Sequence, residues 1–123
     1  MSTYSPAGNT FIANATPTES NVWVTSLQPV NSYHVVNTGS IPVMIRMNVN
    51  TASNVRATFP TAGNPQLGFI VGPTWEDIVV VPSALNGQAS PQPAGFNSNC
   101  QFSVITAAGT TSSNVFITPV LAF

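Results

Sequence analysis

The sequence predicts an all-β fold: a single-domain β-sandwich or jelly roll of about eight short antiparallel strands, with an extended N-terminal arm and minimal helix. Three observations lead there. No window carries an apolar period near 3.6 residues, whereas several short runs alternate apolar and polar side chains. Eleven prolines and eight glycines punctuate those runs. Only five side chains are charged, Glu19, Arg46, Arg56, Glu76 and Asp77, so 4% of the chain does work that takes roughly 25% of an average domain. Polarity comes instead from Thr, Ser, Asn and Gln, which make up 45 of the 123 residues.

Residues 1–20 are rich in Ser, Thr, Asn and Pro around one apolar island, Phe11-Ile12. They read as an extended arm ahead of a domain at 21–123, either docked on a neighbouring surface or subunit with Phe11 as its anchor, or simply a frayed terminus. Strands follow at 21–27, where Val22 and Val24 alternate with Trp23 and Thr25, and at 33–37, which runs into a Thr38-Gly39-Ser40 turn. The cleanest strand is 41–49: Val43, Ile45, Met47 and Val49 share one face, and Met44, Arg46 and Asn48 the other. A short strand at 55–59 stops at Pro60. Strands at 67–71 and 76–81 flank a turn at Gly72-Pro73-Thr74. Residues 82–99 form a long loop holding Pro82, Pro91, Pro93 and an Asn86-Gly87 pair, long enough to be functional or packed on something. Strands at 101–106 and 114–121 close the chain.

The composition excludes several functions. Two arginines and no lysine cannot track a phosphate backbone, so no nucleic-acid partner is expected. The longest strictly apolar run, Ile78 to Pro82, is far short of a membrane-spanning helix, so no membrane association is expected. The N-terminus lacks the basic and apolar regions of a secretory signal, which points to synthesis and retention in a cytoplasm. Cys100 stands alone, so neither an internal disulfide nor a thiolate metal site is expected.

Reactive groups are scarce. No phosphate-binding glycine loop, nucleophile elbow or zinc-protease motif is present. His34 and Cys100 are the only histidine and thiol, and nothing around them marks a catalytic pair. Glu76 and Asp77 are adjacent and point to opposite faces of a strand, so they do not form an acid–base dyad; ion pairing with Arg46 or Arg56 is the expected use. Catalysis, cofactors and metals are therefore not expected. Trp75, following a turn, and Phe96, in the long loop, join Phe11 as candidate contact residues. Trp23, Trp75 or Tyr33 would be the stacking platform if the chain were a carbohydrate-binding module.

The stretch Val35-Val36-Asn37-Thr38-Gly39-Ser40-Ile41-Pro42-Val43-Met44-Ile45-Arg46 resembles a recurrent segment of small tailed-bacteriophage virion proteins, in which a strand ending in Asn-x-Gly leads into a Pro-Val-hydrophobic-Arg strand. Phe102 to Thr110, followed by Val115-Phe116-Ile117-Thr118-Pro119, is similar to the closing hairpin of the same proteins. The resemblance covers about a quarter of the chain. It implies a capsid cement or decoration protein on the capsid exterior of the virion. Its partners would be the major capsid protein and further copies of itself, as a dimer or trimer; tail, neck and baseplate proteins share the texture. Where that family often ends its last strand with Pro-Gly, Pro119 here is followed by Val120-Leu121-Ala122-Phe123, an apolar end suited to burial in the fold or in a contact.

Overall fold

A computed structural model of the chain describes residues 4–49, 54–81 and 97–122. Among them are nine strands and no helix: β1 (Tyr4–Pro6), β2 (Phe11–Ala15), β3 (Ser20–Val30), β4 (Ser32–Asn37), β5 (Val43–Asn48), β6 (Phe69–Val71), β7 (Glu76–Val80), β8 (Asn97–Ile105) and β9 (Ser113–Ala122). They form two antiparallel sheets packed face to face. The first runs β1-β9-β4-β7, with β2 also on β9, and the second runs β3-β8-β5-β6. From β2 to β9 the strands take the double Greek-key order of a jelly roll, the chain changing sheet at every connection except that between the paired β5 and β6.

Alternation decides which side chains enter the core. Phe102 and Val104 of β8 face inward opposite Met47 and Ile45 of β5, while Tyr33 and Val35 of β4 face them from the other sheet together with Val115 and Ile117 of β9. Tyr33 meets Phe102 edge-on, with ring centroids 5.1 Å apart.

The stretch expected as an arm is extended, and it lies along β9 as the sheet's edge. Tyr4–Pro6 pairs with residues 120–122 and Phe11–Ala15 with residues 113–117. Phe11, Ala13 and Ala15 turn toward the core. Between β1 and β2 the chain leaves the ladder opposite Pro119, which has no N–H to donate on that side. Ala7 N–H donates to Pro119 O (2.8 Å) and Ala7 O accepts from Leu27 N (2.9 Å), so one residue ties β9 in the first sheet to β3 in the second. Gly8 fits because a Cβ there would lie 2.8 Å from the Pro119 ring.

Three expected element bounds are corrected. Residues 55–59 form no strand and belong to neither sheet. They lie over the outer face of the second sheet, where their backbone meets side chains in place of a neighbouring strand: Gln101 Oε1 accepts from Val55 N (3.1 Å), Gln101 Nε2 donates to Val55 O (3.1 Å), and Ser103 Oγ accepts from Ala57 N (2.8 Å). Asn97, Ser98 and Asn99, assigned to the long loop, open β8; the rest of that loop, Phe96 included, lies outside the described residues. β3 also continues past residue 27 to Val30, with a register shift between Thr25 and Val30 that accommodates Pro29 where no ladder bond is required.

At one end of the sandwich the connections after β4, β6 and β8 gather around Asn37. Its Nδ2 lies within hydrogen-bond reach of Ile41 O (2.9 Å), Gly72 O (3.0 Å) and Val71 O (3.2 Å), and its Oδ1 accepts from Gly39 N (3.0 Å) and Ser113 Oγ. Gly39 packs so tightly on Ser113 that a Cβ would overlap its hydroxyl. Replacing Asn37 with Asp keeps the shape but removes every donor and sets a carboxylate against carbonyl oxygens. We expect Asn37→Asp to cost about 3–5 kcal/mol at pH 7. Burial raises the folded-state pKa of the new carboxyl, so the penalty sets in as pH rises through the unfolded value near 4 and shrinks below it. Urea unfolding at pH 7 and pH 4 measures both effects.

Candidate functional site

The residues singled out by sequence do not converge on one site. Phe11 is half-buried on β2 and Trp75 half-buried before β7, and both pack against the core. Tyr33 is fully buried and offers no stacking surface, while Trp23 is half-buried on the outer face of the second sheet. His34 and Cys100 are not brought together. His34 is on the outer face of the first sheet, and Cys100 is completely buried between the sheets. Among the described residues no three His, Cys, Asp or Glu side chains cluster as metal ligands.

The charged groups pair differently from the expectation. Glu76 reaches His34 (Oε2 to Nε2, 2.7 Å), its diagonal neighbour across the β4–β7 ladder, and not an arginine. Tyr4 stacks on the same imidazole with centroids 4.8 Å apart. Tyr4, His34 and Glu76 thus form a strap from β1 over β9 to β4 and β7. Arg56 lies 3.7 Å from Glu19, and Asp77 Oδ1 accepts from the backbone N–H of Ile78 (2.7 Å).

The two outer faces differ in kind. On the second sheet, Asn48, Gln101 and Ser103 are entirely buried beneath residues 55–57; Asn48 Nδ2 donates to Gln101 Oε1 (3.0 Å) and Ser103 Oγ to Glu19 Oε2 (3.4 Å). The outer face of the first sheet carries Ile12, Phe116, Val36 and Ile78 between polar pairs, Asn14 with Asn114 (2.8 Å) and Thr10 with Thr118 (2.7 Å). The two seams between the sheets differ as well. The β3 side is closed through Ala7 and through Thr106 N–H donating to Thr16 O (2.9 Å). The β6–β7 side holds a groove of about 340 Å³ lined by Arg46, Met47, Leu67, Phe69, Val79 and Val80. Among the described residues, neither this face nor the groove presents a nucleophile beside a base.

Burial fixes the chemistry of the core pair. It pushes the Cys100 thiol from an ordinary value near 9 up to about 12, and raises the Tyr33 phenol well above its usual range. The Tyr33 hydroxyl faces Cys100 without a regular hydrogen bond. Groups whose folded pKa is raised favour the native state fully below their unfolded pKa, and that contribution fades as pH climbs toward the folded value. We expect stability to fall above pH ~8.5, by about 1–2 kcal/mol at pH 10 from Cys100 alone. Cys100 should react with a thiol reagent only as fast as the protein unfolds. Tyr33→Phe should be neutral or stabilising by about 1 kcal/mol, since it removes an unsatisfied buried hydroxyl. Urea titrations at pH 7 and pH 10 and thiol-labelling rates check these outcomes.

No protein-family model matches this chain, and neither a curated protein nor a solved structure does.

Proposed function

We propose that the protein is a virion structural component, a cement or decoration protein that binds the major capsid protein on the exterior of a tailed-bacteriophage shell and stabilises it. The observation that carries this reading is a jelly roll with almost no charge: 4% of its residues are charged, and its polar surface is built from amides and hydroxyls. Such a surface can be covered by protein neighbours without desolvating ions, and its polar groups can exchange water for hydrogen bonds across an interface. Near-zero net charge gives a free protein little protection against association, a liability that incorporation into a lattice at fixed stoichiometry turns to use. Jelly rolls serve in viral capsids and in lectins, so the fold alone is an argument by analogy. The resemblance of residues 35–46, 102–110 and 115–119 to small virion proteins is what favours a virion component over a lectin.

The function on this reading is mechanical. The half-buried Phe11 and Trp75, the outer face of the first sheet, which no described residue covers, and the polypeptide between β7 and β8 supply contacts to adjacent shell subunits. Quantitative mass spectrometry of purified particles tests it. Copies in the hundreds, close to the number of major capsid subunits, support cement. Six or twelve copies assign the chain to the tail, neck or baseplate, and absence from particles overturns the structural reading.

A further inference from the structure

β1 is attached to the sandwich without being part of its core. Tyr4 is half-buried, Ser5 and Pro6 are exposed, and none of the three joins the core cluster, whereas Ala7, the next residue, does. Ala7 is also fixed through both its N–H, to Pro119, and its carbonyl, to Leu27. The boundary between the separable and the fixed parts of the chain therefore falls between Pro6 and Ala7.

Among the described residues, main-chain bonding along β1 is sparse. The bond from Ala7 N–H to Pro119 O sets the phase of the ladder. Alternation then makes Ser5 and Leu121 the bonded pair and leaves Tyr4–Ala122 and Pro6–Val120 unbonded. Pro6 thus stands where no N–H is required. The side-chain anchor is the Tyr4 ring, stacked on the His34 imidazole with centroids 4.8 Å apart and planes 21° from parallel. That imidazole is held from β7 by Glu76, Oε2 to Nε2 2.7 Å, so its orientation does not depend on β1. The imidazole face and the Leu121 edge of β9 make a ready-formed slot.

We propose that this slot is a binding site for an extended peptide of the form aromatic-x-Pro, and that β1 is its internal, displaceable occupant. Each position has a chemical reason. A ring at the first covers the imidazole face, and the second residue supplies the N–H and carbonyl that Leu121 needs. Proline fits the third, where its fixed φ lowers the cost of ordering an extended chain. Displacement leaves the core intact because β1 contributes nothing to it, and segments of this kind open locally without global unfolding. An incoming peptide adds a strand where β1 gives one up, so the edge of β9 ends paired again. The fit of the slot to a peptide is independent of whether the protein belongs to a virion, so its outcome is separate from that of particle analysis.

The probe is a fluorescein-labelled synthetic peptide with the sequence of residues 1–9, added to the full-length protein. Fluorescence anisotropy is expected to show saturable binding. Tyr4→Ala in the protein weakens the internal competitor and should tighten peptide binding about five- to tenfold; the same change in the peptide should weaken it as much, and Tyr4→Phe should alter neither. His34 is the only histidine, so its imidazole C–H proton signals report the slot. The Tyr4 ring shifts them in the wild type, Tyr4→Ala should abolish that shift, and saturating peptide should restore it. The Leu121 amide should exchange with solvent by local opening while Ile117 follows global unfolding, and Tyr4→Ala should leave the urea midpoint close to wild type. No binding to the Tyr4→Ala protein at about 1 mM peptide overturns the proposal. So does bound peptide that leaves the His34 signals unmoved, Leu121 exchange that occurs only with global unfolding, or loss of the cooperative transition in Tyr4→Ala, which would make β1 part of the core.

Discussion

The carboxamide of Asn37 is the node on which the two sheets are registered to each other. Its amide nitrogen reaches carbonyls of the β4–β5 turn and of the β6 end, while its oxygen accepts from Gly39 and from Ser113 at the start of β9. Three connections thereby meet at one buried polar group. An amide is suited to this because it donates and accepts at once without a charge, so it satisfies backbone atoms that have left their ladders and needs no counter-ion. A carboxylate or an ammonium can do only half of it, and burying either is costly.

Gln101 repeats the solution on the other sheet. Its side-chain amide both accepts from and donates to Val55, as an adjacent strand's peptide group would, and thereby holds a segment that has no ladder of its own. The consequence is asymmetry. Residues 55–57 cover the second sheet and bury its polar outer side chains, whereas nothing among the described residues covers the outer face of the first. Main-chain bonds through Ala7 and Thr16 close one seam in the same way. Contact surface is therefore concentrated on the first sheet's outer face and at the β6–β7 seam.

The sequence made the class of fold readable because it is carried by period. β5 alternates cleanly, and its expected inner face of Val43, Ile45, Met47 and Val49 is buried. β1 and β2 were harder to see because their inward residues past Phe11 are Ala13 and Ala15, too small to stand out in a Ser/Thr/Asn-rich stretch. Residues 55–59 have the pattern of a strand because they are half-covered like one; pattern reports burial, and pairing depends on what lies alongside. The buried Asn37, Asn48, Gln101 and Ser103 were indistinguishable from the many exposed amides and hydroxyls around them. The ion pairs escaped for a related reason: His34 finds Glu76 only after β4 and β7 are placed side by side.

The scarcity of charge follows from how this chain is held together. A fold that uses amides and hydroxyls as surrogate backbone partners puts those groups inside and outside alike, so its surface and its interior are chemically close. Covering such a surface changes little electrostatically, and what limits association is then geometry: which edge amides are free and which apolar side chains stand together. On most domains dispersed charge restrains such edges. Here three acidic residues and two arginines are all there is, and two of the acids stand at the start of β7, which no described strand pairs on its outer side. A single carboxylate, Asp77, satisfies the central amide of that edge, so control of edge pairing is focused on one side chain where a more charged protein would spread it over many.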